Sequence, residues 1–274
     1  MSDYQICPIV DYDTDVRGEN KMWDCVVVID RYKEEEEMKV EIWSDVACPW
    51  CYIGKRRFEA ALADFKHKDQ VEVIWRSYQL DPSAPRTSET KMTEVLAQKY
   101  GVSPQQAEAM NERVSKLAAE VGLDYHMGDI RHSNTFDAHR LIHLAAHHNL
   151  QDAAKERLLK AYFTEGASVG DTETLVRLAS EVGIDAEEAR SMLAGNAYTD
   201  EVRADIERAR MFGIEGVPFF AIDEKYGISG AQPTEVFKQV LDQAWAESHP
   251  LIKIGADNTD SGYCEGDNCI IPQQ

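Results

Sequence analysis

Apolar and polar residues alternate through KVEIWSD, residues 39–45, the period-two pattern of a half-buried strand. Ile53, Phe58, Ala61, Leu62 and Phe65 then recur at helical spacing within YIGKRRFEAALADF. VEVIWRSYQL reads as a second strand, closed by the turn signal DPSAP. Strand, helix and strand in that order imply a parallel pair with a right-handed crossover. Between Thr93 and Gly213 the pattern changes to roughly seven helical stretches, opening near cap-type residues and in several cases stopping at glycine. Short β-rich segments return at VPFFAID and YGISG, before a last helix, PTEVFKQVLDQAWAES, with proline in its first turn.

This order predicts an α/β fold in which residues 38–92 and 214–248 form one small sheet domain, interrupted by a helical insertion over 93–213. The ends differ from the rest. Residues 1–37 carry eleven acids against four bases, and end in a run of glutamates. They read as a poorly ordered extension, an addition, or the product of a start codon placed too early, with Cys7 and Cys25 incidental. Residues 249–274 form a Gly/Asp/Asn-rich tail that holds a second cysteine pair, Cys264 and Cys269.

Composition adds exclusions. With 43% hydrophobic and 28% charged residues the 274-residue chain is ordinary for a globular protein, and large enough for a real core. No apolar run approaches the roughly 20 residues of a membrane helix. The acidic start lacks the basic-then-apolar order of a secretory signal, so the cytoplasm is the expected compartment. A net charge of −20 disfavours nucleic acid and anionic membranes as partners. Six cysteines are too few for a disulfide scaffold of this length.

The chemistry centres on SDVACPWCYIGK, residues 44–55. Cys48 follows a strand and precedes a helix, so it falls where unpaired N–H groups and the helix dipole favour an anion. A thiol there is expected to lose its proton easily, and the thiolate is the reactive form. Cys48 is thus the expected attacking thiol, with Cys51 within reach to resolve; Pro49 fits the first helical turn. Zinc competes: Cys264 and Cys269 offer a second pair, and His139, His143 and His147 share one helix face. The tail pair has the wrong spacing and lies across a long insertion, and no metal is expected at either place. Calcium is disfavoured too, because a loop counted from Asp257 puts Asn268 where the bidentate Glu belongs. A structural disulfide in so short a loop would stabilise little. The discriminating feature is Gly216-Val217-Pro218 at the opening of a strand. Proline removes a ladder hydrogen bond there, and a cis Val217–Pro218 bond is expected to explain it. Beside the cysteine turn, Val217 would present its backbone to an extended substrate. Pro218 and Trp50 are the other expected substrate contacts.

Strand–CPWC–helix, a helical insertion, then GVP with two strands and a helix resemble the DsbA-like thioredoxin fold. The stretches VEIWSDVACPWCYIGKRRFEAAL, WRSYQLDP, SNTFDAHRLIHLA, ARMFGIEGVPFFAI and YGISGAQP resemble its FrnE-like branch, related to 2-hydroxychromene-2-carboxylate isomerases and kappa-class glutathione transferases. The resemblance spans about residues 38–248. It implies a thioredoxin fold interrupted by a helical subdomain, with Cys48 as nucleophile, Cys51 as resolving thiol, Pro218 as cis-proline and Val217 as the substrate-aligning residue. The isomerase and transferase relatives typically carry serine at the nucleophile position and use glutathione; two cysteines here favour dithiol chemistry. CEGDNC resembles a tail found in some FrnE proteins, and reads equally as a redox partner of the first pair or as a plain clip. The implied activity is thiol:disulfide oxidoreductase or isomerase, acting on client proteins with thiols or disulfides, in oxidative stress. The alternatives are a glutathione-linked isomerase or transferase, and a non-enzymatic zinc-binding or redox-sensing module. No bound cofactor is expected; glutathione or a dithiol partner would supply or take electrons.

Overall fold

The computed structural model describes residues 37–250 and, in the tail, two short strands. What the sequence suggests for residues 1–36 and for the rest of the tail lies outside the described residues.

Strand β1 (Met38–Ser44) is an inner strand of the sheet. It pairs in parallel with β2 (Val71–Ser77), with Ile42 opposite Trp75, so the expected β-α-β unit is present. On its other side runs β3 (Phe219–Ile222), antiparallel, followed by β4 (Tyr226–Ser229), giving the order β2-β1-β3-β4. Because β1 is covered on both faces, its alternation breaks down. Of its seven residues only Lys39 is exposed, and Val40, Ile42, Trp43 and Ser44 are wholly buried.

Helix α1 (Pro49–Asp64) follows β1 and lays Phe58 against the sheet. The ring of Phe58 meets Phe220 of β3 at 5.6 Å and Phe237 at 5.9 Å. Phe237 belongs to the last described helix, Thr234–Ser248. Three aromatic rings thus join the two halves of the sheet domain, although more than 150 residues separate them in sequence.

Seven helices lie between β2 and β3: α2 (Met92–Tyr100), α3 (Pro104–Ala119), α4 (Phe136–His147), α5 (Gln151–Phe163), α6 (Thr172–Glu181), α7 (Ala186–Ala194) and α8 (Thr199–Met211); the last helix is therefore α9. Their ends follow capping chemistry. Ser103 and Gln106 form a reciprocal capping box ahead of α3, Asp171 and Asp185 cap α6 and α7, and Gly101 closes α2 in the left-handed conformation. One continuous cluster of buried side chains runs from the sheet (Ile42, Trp75, Phe220) into the insertion (Leu141, Leu158, Leu178). The architecture is therefore an α/β thioredoxin fold with a helical insertion whose core is shared. In the tail, β5 (Tyr263–Glu265) and β6 (Asn268–Ile270) pair as an antiparallel hairpin in which Cys264 faces Cys269 across the ladder. Among the described residues no helix is long and apolar enough to cross a membrane.

A buried polar lock fastens α8 to the sheet. The carboxylate of Asp205 accepts from the Ser77 N–H at 2.8 Å and from Arg76 at 3.2 Å, and lies 3.0 Å from His143 Nε2. One residue's backbone helps as well, since Trp43 Nε1 donates to the Asp205 carbonyl at 2.9 Å. Removing one member of such a set leaves the others desolvated and unpaired. Asp205→Ala is therefore expected to lower the unfolding free energy by about 3 kcal/mol, read from urea or guanidinium titration. A change within experimental error would show that the lock does not hold the insertion.

Candidate active site

The turn after β1 is built around one carboxylate. Asp45 Oδ1 accepts from the Ala47 N–H at 3.4 Å, and Oδ2 accepts from the Leu80 N–H at 2.8 Å. Its carbonyl accepts from the Cys48 N–H at 3.2 Å. Cys48 is the N-cap of α1, Pro49 takes the first helical position, and the Cys51 N–H closes back on the Cys48 carbonyl at 3.0 Å. Both cysteines are reduced and buried, 3% and 1% exposed, while Trp50 between them is 38% exposed at the rim.

The distant Gly-Val-Pro arrives at this turn. Val217–Pro218 is cis, and the Cys48 thiol donates to the Val217 carbonyl at 3.4 Å. The Pro218 carbonyl in turn accepts from Gly230 N–H at 2.8 Å. Close approach is possible because α1 has glycine at 54: a Cβ there would lie 3.0 Å from Pro218 Cγ. The structure thus brings Cys48, Cys51, Val217 and Pro218 together, with Trp50 at the edge. It does not gather the histidine row. His139 lies 3.3 Å from Asp45 Oδ1, His143 is 3.1 Å from the Ser77 hydroxyl as well as close to Asp205, and His147 packs on Tyr198 at 5.3 Å. Among the described residues no group of three or more Cys, His, Asp or Glu side chains is arranged to hold a metal ion. The side chains of Cys264 and Cys269 lie outside the described residues.

Three contributors to the site carry no thiol, and the sequence did not single them out for redox work. Tyr125 donates its hydroxyl to the Pro49 carbonyl at 2.8 Å and stacks on Phe163 at 4.7 Å, buttressing the turn from the insertion. His139, on α4, is buried against Asp45. Lys155, on α5, is buried with its Nζ 3.4 Å from the Ser44 carbonyl at the end of β1 and 5.5 Å from the Trp75 ring centre. A sequence signal existed for the lysine: in DAAKERLLKAYF it shares the apolar i, i+3, i+4, i+7 stripe with Leu158, Leu159 and Tyr162. A lysine on a buried stripe is rare without a partner.

The two buried thiols are coupled to each other. The Cys48 thiol is not acidic on its own: it is pushed well up, first because Cys51 holds its S–H and then by burial. Burial also works against the Cys51 thiolate, but the Cys48 S–H and the Lys155 charge outweigh it and hold the Cys51 thiol below its ordinary range. Two sulfurs share one proton at the helix N-terminus, so the first ionisation belongs to the pair. Asp45 is likewise raised by burial and more than compensated by His139, the Leu80 N–H and Thr135, so it stays below the usual carboxylate range. His139 is held below 6.5 mainly by burial, against the pull of Asp45.

These features define the class: a thioredoxin-type dithiol site, with a cysteine pair opening a helix and a cis-proline against it. The DSBA-like thioredoxin domain family matches residues 39–242, and the chain belongs to that family. A probable DsbA oxidoreductase of Streptomyces coelicolor is 48% identical, superposes with a TM-score of 0.75, and covers 86% of this chain and 100% of its own. The uncharacterised protein YwbO of Bacillus subtilis is 29% identical over 205 residues, 74% of this chain and 94% of that protein. The cytosolic disulfide reductase DsbM of Pseudomonas aeruginosa (18% identical, TM-score 0.55, 76% and 99% covered) and a 2-hydroxychromene-2-carboxylate isomerase (13%, 0.58, 77% and 97%) share the fold.

His139 makes stability depend on pH with a definite sign. Its folded-state affinity for a proton is below that of the unfolded chain, so the unfolded chain protonates first and stability is lost as pH falls from about 6.5. Asp45 acts in the same sense only at lower pH, as pH falls below 3.8. Urea titrations at pH 7 and pH 5 should show the folded state weaker at pH 5, and His139→Gln, which keeps an N–H for Asp45 but cannot titrate, should flatten the difference. An equal slope in that variant would place the acid sensitivity elsewhere.

Proposed function

We propose that this chain is a thiol:disulfide oxidoreductase acting on protein disulfides through Cys48 and Cys51. The observation that carries the reading is the pair of adjacent reduced thiols, one of them 3.4 Å from a backbone carbonyl beside which an extended client can lie. Moving the shared proton from Cys48 to Cys51 frees the Cys48 thiolate. It attacks one sulfur of a client disulfide, forming the Cys48–client bond and expelling a client thiolate, which takes a proton from solvent. Cys51, once deprotonated, attacks Cys48 Sγ, closing the Cys48–Cys51 disulfide and releasing the second client thiolate. The client gains two electrons and the protein loses two; run backwards, the same steps oxidise client dithiols. Glutathione or a dithiol partner returns the active pair to its starting state. Direction follows from the potentials of the pair and of its partner.

Trp50 and Leu80, both exposed and both beside the turn, offer apolar contact to an unfolded client, and the Val217–Pro218 backbone aligns it. The hairpin register supports a role for the tail: Cys264 and Cys269 are directly opposite each other, a spacing that suits a disulfide. That pair exchanges with the active pair as relay or brake. Action in the cytoplasm, under oxidative stress and within the FrnE-like branch, completes the reading.

Cys48→Ser is expected to abolish insulin reduction and scrambled-RNase refolding, while Cys51→Ser accumulates a mixed disulfide with the client. Unchanged turnover in Cys48→Ser would sink the mechanism; retained glutathione-dependent turnover of a small molecule would point to the isomerase or transferase reading instead. Altered kinetics in the Cys264→Ser/Cys269→Ser double variant would support the exchange, and identical kinetics would eliminate it.

A further inference from the structure

Tyr125 touches the cysteine motif itself. Its hydroxyl donates to the Pro49 carbonyl at 2.8 Å, from a segment between α3 and α4 that lies 76 positions along the chain. The residue is 7% exposed, and its ring stacks on Tyr52 at 6.1 Å and on Phe163 at 4.7 Å. Burial pushes the hydroxyl well above its ordinary range, so it stays a donor wherever a thiol titrates. The Pro49 carbonyl belongs to the same peptide unit as the Trp50 N–H. That N–H is the unclaimed donor of the first helical turn. Pro49 has none, the Cys51 N–H closes on the Cys48 carbonyl at 3.0 Å, and among the described residues the Trp50 N–H has no acceptor. In the reduced protein the Cys48 thiol makes no cap bond to the helix and donates to the Val217 carbonyl at 3.4 Å. A thiolate cannot donate. It has to turn from that carbonyl to an N–H, and an N-cap side chain ordinarily accepts from the second or third helical residue, here Trp50 or Cys51. Only the first of these is uncommitted.

We propose that Tyr125 is a positioning residue for the nucleophile: by holding the Pro49 carbonyl it fixes the Pro49–Trp50 peptide, with the Trp50 N–H ready to receive the Cys48 thiolate. Donation to a peptide carbonyl also polarises the N–H of the same peptide, so the clamp strengthens the donor that the sulfur uses. Tyr125 gives up no proton and makes no bond to sulfur; it acts through Trp50. The role deepens the oxidoreductase reading above and rests on it, because a better-held thiolate serves turnover only if Cys48 attacks. The other charged or titratable groups that face Cys48 are Cys51 on α1, Asp45 in the turn before it and Lys155 on α5. Removing the Tyr125 hydroxyl leaves all three in place.

Tyr125→Phe removes the hydroxyl and keeps the ring that stacks on Tyr52 and Phe163. The effect is read in a Cys51→Ser background, where Cys48 titrates alone, from thiolate absorbance near 240 nm. Tyr125→Phe should move the Cys48 midpoint up by about half a pH unit, about a threefold smaller thiolate fraction at any pH below it. A protein that unfolds at lower urea but titrates as before would overturn the proposal and leave Tyr125 a brace. If Tyr125→Phe does not fold, the Trp50 amide proton decides with Tyr125 intact. Its NMR resonance should move downfield as Cys48 ionises, and a resonance that stays in place would overturn the proposal. Neither measurement needs a client. Failure of insulin reduction alongside a shifted titration would therefore sink the oxidoreductase reading and leave the clamp standing.

Discussion

One buried carboxylate sets the geometry of everything around the dithiol. Asp45 reaches the cysteine turn through the Ala47 N–H, the segment after β2 through the Leu80 N–H, and helix α4 through His139. Sheet, loop and insertion therefore converge on a group that is 1% exposed and stays ionised only because those partners offset its burial. If any one of them moved away, the carboxylate would become an uncompensated charge next to two sulfurs. The turn that presents Cys48 is rigid for an electrostatic reason as much as a steric one.

The helical insertion is consequently part of the candidate active site. Tyr125 braces the first turn of α1, His139 faces Asp45, and Lys155 reaches the Ser44 carbonyl at the end of β1, all three contributed from between β2 and β3. The sheet domain brings the thiols and the proline loop; the insertion brings the buried polar groups that set their ionisation. The Asp205 lock and the shared apolar core keep the two contributions in register. The cysteine turn itself is local to a helix start, and the buried polar groups packed around it here come from far away in sequence.

That division explains what could be read from the residues. Periodicity and turn chemistry are local, so the β-α-β unit, the helical run after Thr93 and the strands at VPFFAID and YGISG follow from short windows. Gly216-Val217-Pro218 was legible as well, because proline opening a strand coincides with a strand–CPWC–helix context elsewhere in the chain. His139 and Lys155 were not assigned to the dithiol, since they reach the end of β1 and its turn from 94 and 111 positions further along the chain. The row of His139, His143 and His147 shows the limit of helical spacing: a shared face does not mean a shared target, and each ring has its own partner. Cys48 shows another. A helix N-terminus favours an anion, but with two sulfurs competing for one proton the rule could not say which of them would hold it.

Gly54 lies one helical turn beyond Cys51, under Pro218, where any Cβ would come within 3.0 Å of the proline ring. The unit of sequence that carries this site is therefore longer than its four best-known letters. Grafting CPWC alone onto another helix would transfer the sulfurs without the depression into which the proline loop settles. The portable cassette is CPWCYIG, and a scaffold with a side chain at its seventh position would press on the proline ring, which would have to give by a few tenths of an ångström.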